Sequence, residues 1–343
     1  MPIFRLCLLL ALLLPTLTQA EVLRVLSWPG YVTNEATHAF EQQYGVNVEL
    51  VIISSDEELW KRASLNEGRN FDLIALNTAE LKRYIEANLV QPLNMARIPN
   101  ARNQIARFRH AARIPGLVSG GKQWAVPFTY SAMGLIYNRK LLAKAPDSMS
   151  ALWDPAFRGR ILLHDSASHN FSLTALSLGI RTPFQLDQTQ FNSSLKRLLA
   201  LRDNLPLFYS TPEEAVEIMR AQDIALLFGN YGDQQVRLLR QAGLDVAQIM
   251  PREGALAWLD CWAMLQGASN PRLAEAWINH MLTPAVAQQL SSQQGLSNTL
   301  RETQNTALRD KDKIIWLEPV EDATQRAYYW ERLRAGTRPP PGR

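Results

Sequence analysis

Cysteine is almost missing from this chain of 343 residues, which has only Cys7 and Cys261. Cys7 sits in an apolar amino-terminal segment, so Cys261 alone remains for the folded body and no internal disulfide can form. Cys261 is expected to behave as a small buried hydrophobe. Long apolar runs are scarce as well. The stretch Leu6 to Leu14 follows Arg5 and precedes the small-residue ending Thr18-Gln19-Ala20, the pattern of a cleavable secretory signal over residues 1–20. No later segment approaches the roughly 20 apolar residues of a membrane-spanning helix. Excess charge of one sign is also lacking. The net charge is +4, and losing Arg5 lowers it to +3, too little and too dispersed for nucleic acid or a membrane surface. Arg97, Arg102, Arg107, Arg109 and Arg113 cluster, and read most simply as a solvated helical face.

What remains is a chain of about 323 residues, enough for two domains. Leu23 to Ser27 reads as a strand. Trp28-Pro29-Gly30-Tyr31 follows as a loop, Asn34 as a helix cap and Val46 to Ile53 as a second strand. The β-α alternation continues with a helix from Asp56, a strand from Phe71 to Leu76 and a helix from Ala79 to Glu86. After Pro127 a second α/β series begins: strands at 133–137, 161–163, 224–228 and 246–250, and helices at 170–178, 213–220 and 234–241. Alternation of this kind predicts a mainly parallel sheet covered by helices on both faces, with ligands bound where loops leave the carboxyl ends of strands. Further helices are expected at 271–280 and 284–293, and the Pro-rich end 338–343 is expected to be a disordered tail.

One residue breaks the pattern. Asp260 interrupts the greasy run from Ala255 to Leu265, and the nearest cation in sequence is Arg252. An ionised carboxylate out of water requires a cation or several donors. A distant arginine or backbone N–H groups would serve; so would a cationic ligand. Trp258, two residues earlier on the same face of an extended strand, would offer an indole to that ligand.

The segments Trp28 to Val32, Phe71-Asp72-Leu73-Ile74, Pro127 to Asn138, Gly229 to Asp233, and Pro251 to Asp260, in this order and spacing, resemble the periplasmic substrate-binding proteins of the spermidine/putrescine class, which serve ABC importers. The resemblance implies a bilobal α/β periplasmic-binding-protein fold of type II, with residues 21–127 and 262–305 in one lobe and 128–261 and 306–337 in the other. It implies crossings near 125–130 and 257–265 and hinge closure over a small-molecule amine. It also implies delivery to an inner-membrane permease, no enzymatic activity, no cofactor and a monomer in the periplasm. Trp28 and Tyr31 would stack on the ligand, Asp233 and Trp258 would line the pocket, and Asp260 would hold an ammonium group, with Asp233 as the carboxylate at the far end. Asn77, Ser166, His169, Tyr231 and Trp316 complete the expected contacts.

Departures from the family pattern bear on the ligand. Pro29-Gly30 stands where an acid or serine is common, and Asp165 is followed by Ser166-Ala167-Ser168-His169 without the usual glutamate. Two anionic contacts are therefore lacking, which points to a shorter or less charged amine. Two other chemistries draw on residues present in the sequence. A hydrolase triad from His164, Asp165, Ser166 and His169 lacks a Gly-x-Ser-x-Gly elbow. A metal-ion receptor, ferric or otherwise, would draw on His164, Asp165 and His169 or on Tyr328-Tyr329, although consecutive tyrosines on a helix point about 100° apart. A sensory subunit on the same fold is the remaining alternative.

Overall fold

The computed structural model describes residues 20–302 and 313–336; nearly all of the expected signal segment and the whole of the expected tail 338–343 lie outside the described residues. The chain opens with β1 (Val22–Ser27), α1 (Asn34–Tyr44), β2 (Asn47–Ile52), α2 (Asp56–Ser64), β3 (Leu73–Asn77) and α3 (Thr78–Glu86). β1 pairs in parallel with β2 on one side and β3 on the other. All five residues of β3 are buried, as expected of a strand covered on both faces. Polar side chains start the helices. Thr33 Oγ1 accepts from Ala36 N at 3.1 Å, Ser55 Oγ from Glu58 N at 3.0 Å and Asn77 Oδ1 from Glu80 N at 3.1 Å. Thr33, not Asn34, is thus the cap of α1.

After β4 (Val90–Gln91) the arginine-rich segment folds into 3-10 turns around α4 (Ala106–Arg109), a single helical turn. The expected arginine face on one helix is therefore not formed; Pro99 starts a separate turn and splits the segment. A small hairpin, β5 (Val118–Ser119) and β6 (Lys122–Gln123), leads into β7 (Ala125–Asn138). The second α/β series comprises β8 (Ile161–His164), α5 (Ala167–Ser177), α6 (Gln188–Leu201), β9 (Phe208–Tyr209), α7 (Pro212–Ala221), β10 (Leu226–Gly229), α8 (Asp233–Gln241) and β11 (Val246–Ile249). Helix α6 was not expected, although Asp187 and Gln190 form a capping box at its start. The chain closes with β12 (Ala255–Leu265), α9 (Pro271–Met281), α10 (Pro284–Gln294), β13 (Ser297–Asn298), β14 (Ile314–Trp316) and α11 (Ala323–Arg334).

The main sheet runs β2-β1-β3-β12-β7-β10-β8-β9. Each flank is parallel, but β12 is antiparallel to β3 and β7, and β7 is antiparallel to β10. The sheet is therefore mixed where a mainly parallel one was expected, because the two strands that join the flanks run against them. β7 pairs with β12 over Ala125 to Met133, then with β10 and β11 over Gly134 to Asn138, so one strand serves both halves. Residues 133–137, read from sequence as a separate strand, are the far end of this longer one. Between Asp260 and Cys261 the β12–β7 register shifts, leaving Phe128 as an extra residue on β7. Such a bulge bends a strand and re-aims side chains.

Candidate functional site

A narrow cavity of about 50 Å³ lies at the junction of the two halves. Its lining comes from the carboxyl ends of parallel strands, as α/β sheets favour. Trp28, Pro29 and Tyr31 follow β1, Asp56 follows β2, Asn77 ends β3, His169 follows β8, and Asn230, Tyr231 and Gln234 follow β10. Trp258 and Asp260 enter from one face of β12, with Leu317 beside them.

Asp260 is buried, and its carboxylate accepts a short hydrogen bond from the Tyr31 hydroxyl. Among the described residues no cation pairs with it; Arg252, the nearest in sequence, is engaged by Asp147 and Glu253. Burial pushes the Asp260 carboxyl up to about 7, against the smaller downward pull of the Tyr31 hydrogen bond. Asn77 lies opposite Asp260 in the β3–β12 register, and its Nδ2 donates to Asp56 Oδ1 at 3.1 Å. Burial, then the carboxylates of Glu80, Glu57 and Asp260, hold the Asp56 carboxyl well above its usual range, with Arg83 opposing them. Two acids thus meet at one end of the cavity, and among the described residues no cation forms an ion pair with either.

The aromatic walls are held by their polar edges. Trp28 Nε1 donates to Ala75 O at 3.0 Å and Trp258 Nε1 to Asn230 O at 3.0 Å. The Tyr31 ring lies 6.3 Å from Trp258, tilted by 30°, and packs edge-on against Phe128 at 6.0 Å. Two glycines allow the loops to approach. At Gly232, with φ of 56°, an added Cβ would stand 2.0 Å from Ser131 Oγ. At Gly30, with φ of 79°, it would stand 2.6 Å from Gln234 Nε2, whose amide donates to Pro29 O at 3.2 Å and ties the two halves together. Gly30 thus lets the loop approach the side-chain ends of Gln234 and Gln294, the latter 2.8 Å from where a Cβ would stand.

On the opposite wall His169 Nδ1 lies 2.8 Å from Asn230 Oδ1, an arrangement that places the ring proton on Nδ1. Burial lowers the His169 pKa despite this hydrogen bond, so the ring is neutral at pH 7. His164 stacks 6.2 Å from His169, and burial followed by the His169 charge depresses it to about 3.

Seven expected contacts, Trp28, Tyr31, Asn77, His169, Tyr231, Trp258 and Asp260, line this one cavity. Three others do not. Ser166 uses its hydroxyl as the cap of α5, accepting from His169 N at 3.4 Å. Asp233, in the first turn of α8 directly after the Gly232 turn, lines a separate hollow against α10. Trp316 packs against Phe108 and Tyr130 and lines another hollow on the far side of β12. Asp56 was missed; its signal was the place of Ser54-Ser55-Asp56 at the carboxyl end of β2, which reads equally well as an ordinary helix start.

The metal readings find other partners here. Asp165 accepts from Trp330 Nε1 at 2.7 Å and pairs with Arg334 at 3.0 Å, while His164 Nε2 meets Ser210 O. Tyr328 is exposed beside Arg332 and Tyr329 is buried against Phe191. Among the described residues no group of three or more His, Cys, Asp or Glu is placed to hold a metal ion, and no helix is long and apolar enough to cross a membrane.

A sequence profile of bacterial extracellular solute-binding proteins matches residues 35–315. The spermidine/putrescine-binding periplasmic protein of Escherichia coli (strain K12) is 22% identical over 299 residues, covering 87% of this chain and 81% of that one. A putrescine/agmatine-binding protein of Pseudomonas aeruginosa is 24% identical over 347 residues, covering 91% of each chain. The solved structure of the Tp0655 (TpPotD) lipoprotein of Treponema pallidum superposes with a TM-score of 0.79 at 18% identity, covering 92% of this chain and 100% of that one, which establishes the two-lobed type II binding-protein fold.

Proposed function

Since the chain belongs to the bacterial extracellular solute-binding proteins, a family that binds solutes and does not transform them, we propose that it captures a polyamine or a related organic amine in the periplasm. It then delivers the amine to the inner-membrane permease of an ABC importer. The observation that carries this reading is Asp260: a buried carboxylate with no cationic partner among the described residues, flanked by Tyr31, Trp258 and Asp56 inside the cavity. An ammonium group would supply the missing charge through charge-assisted hydrogen bonds, and the indole and phenol faces would hold the methylenes beside it. The amine ligands in the names of the Escherichia coli and Pseudomonas relatives support the same chemistry.

The lobes in this reading comprise residues 21–127 with 262–305, and 128–261 with 306–337. Packing of α9 against α1, and of α11 against α5, supports that division. β7 and β12 serve as the hinge. Ligand contacts come from both lobes, so they are complete only when the lobes are shut, and binding shifts the population toward the closed form. A micromolar complex requires about 8 kcal/mol, within reach of two charge-assisted contacts and several aromatic faces.

The test is a thermal-shift and calorimetric screen of the purified protein against diamines, triamines, amino acids and ferric iron. An organic amine should raise the melting temperature, and Asp260→Asn should weaken its binding at least about 30-fold, the effect of truncating one partner of a buried charged pair. Stabilisation by iron and by no amine, or unchanged amine binding in Asp260→Asn, would overturn the reading.

A further inference from the structure

The negative charge in the cavity is confined to one end. Asp260 and Asp56 meet there through Asn77, the register neighbour of one and the hydrogen-bond donor to the other. Glu80 and Glu57 deepen the negative field at Asp56. The cation of this corner, Arg83, is turned to Glu80 at 3.4 Å and lies over the Trp60 ring at 3.8 Å.

The opposite wall presents His169, Asn230, Tyr231 and Gln234, none of them acidic. Other carboxylates of the second lobe do not line the cavity: Glu213 and Glu214, whose charge acts on Tyr231, are exposed on α7. Asp165 is held by Trp330 and Arg334, Glu321 makes two hydrogen bonds with the fully buried Arg326 at 2.9 and 2.6 Å, and Asp233 faces the separate hollow beside α10. Among the described residues, Asp56 and Asp260 are the only carboxylates that line the cavity. Glu57, on the exposed side of α2, exerts a field at His169 without lining the cavity, and solvent screens it.

The geometry points to an asymmetric ligand, a deepening that rests on the amine reading above: one ammonium group seated between Asp260 and Asp56, and an uncharged hydrogen-bonding group, an amide or hydroxyl, seated against His169, Asn230 and Gln234. A second ammonium at that far end would leave water for dipoles alone, with no counter-charge to offset its desolvation. An amide or hydroxyl loses far less hydration and finds matching partners. With its proton on Nδ1, His169 keeps Nε2 as an acceptor; the Asn230 amide NH2 can donate; and Gln234 Oε1 can accept. Specificity then follows from the far wall, where a site built of dipoles rejects the charged end.

The experiment is isothermal titration calorimetry of the signal-free protein at pH 8 and fixed salt with three probes of similar length: putrescine, N-acetylputrescine and 4-aminobutan-1-ol. The two monocations should bind at least about tenfold tighter than the dication. His169→Asp, and independently Asn230→Asp, should reverse the order by giving the far end a counter-charge; either variant suffices if the other fails to fold. Putrescine binding as tightly as N-acetylputrescine to the unmodified protein would overturn the inference while leaving the amine reading intact. Binding of none of the three would overturn both.

Discussion

The two ends of one strand pair treat a buried acid in opposite ways. At the amino end of β3, Asp72 accepts from Arg24 N at 2.8 Å, pairs with the Arg24 guanidinium at 3.1 Å and takes a further N–H from Ser269 at 2.9 Å. These hydrogen bonds outweigh the burial that opposes them and hold its carboxyl below the usual range. At the carboxyl end, where Asn77 faces Asp260, the acid has a phenol and no cation, and its carboxyl rises to about 7. Both acids are almost fully buried, at 1% and 5% exposure, so burial alone does not separate them. The presence of a partner does. Asp72 joins β1, β3 and the turn before α9 into one body, whereas Asp260 retains an unmet electrostatic demand on the wall of a cavity.

The largest way to break this contrast is Asp72→Ala. It strands Arg24 and two N–H donors and should destabilise the fold by about 3 to 5 kcal/mol in urea denaturation, while the amine affinity of the folded fraction stays unchanged. Next comes pH. The folded Asp260 holds its proton up to about 7, against about 4 when unfolded, so the unfolded chain releases that proton first as pH rises. The contribution of Asp260 to ligand-free stability is therefore intact below pH 4, falls between about 4 and 7, and is lower by on the order of 4 kcal/mol above that. Asp260→Asn should flatten this slope and leave the free protein more stable than the wild type at pH 8. Asp72 acts with the opposite sign: its stabilisation is present above the ordinary carboxylate range and is lost as pH falls through its depressed folded value.

A smaller effect is expected for Tyr31→Phe. Removing this hydrogen bond, which is already formed without ligand, should raise the Asp260 titration midpoint followed by carboxyl-sensitive spectroscopy, and should weaken amine binding near pH 7 because the ligand must then displace a more tightly held proton. The smallest is the pH dependence of affinity itself. Below about pH 7 an amine must displace the Asp260 proton, so its affinity should fall by up to about tenfold per pH unit, whereas Asp260→Asn should bind weakly with little pH dependence.

Much of the site was legible because two periodicities expose it. Alternation along β12 set Trp258 and Asp260 on one face, and the carboxyl-end rule marked Trp28, Tyr31 and Asn77. Asp233 and Trp316 were misplaced for a geometric reason. The Gly232 turn starts α8 with Asp233 toward α10, and β14 docks on β12 so that the Trp316 ring faces Phe108. Neither orientation has a counterpart in residue spacing. Asp56 was overlooked because an acid in the first turn of a helix is ordinary, and only the approach of Asn77 and Asp260 distinguishes it.

By itself the amino-acid order determined the alternation of strands and helices and the presence of an acid in a run too apolar for an acid to be there by default. Those features are local: they depend on residue type and on periods of 2 and 3.6. Tertiary structure alone decided which acids find partners. Arg24 reaches Asp72 across 48 positions, and Tyr31 reaches Asp260 across 229. Electrostatic demand is set by distance through space and by exclusion of water, and neither can be read from separation along the chain.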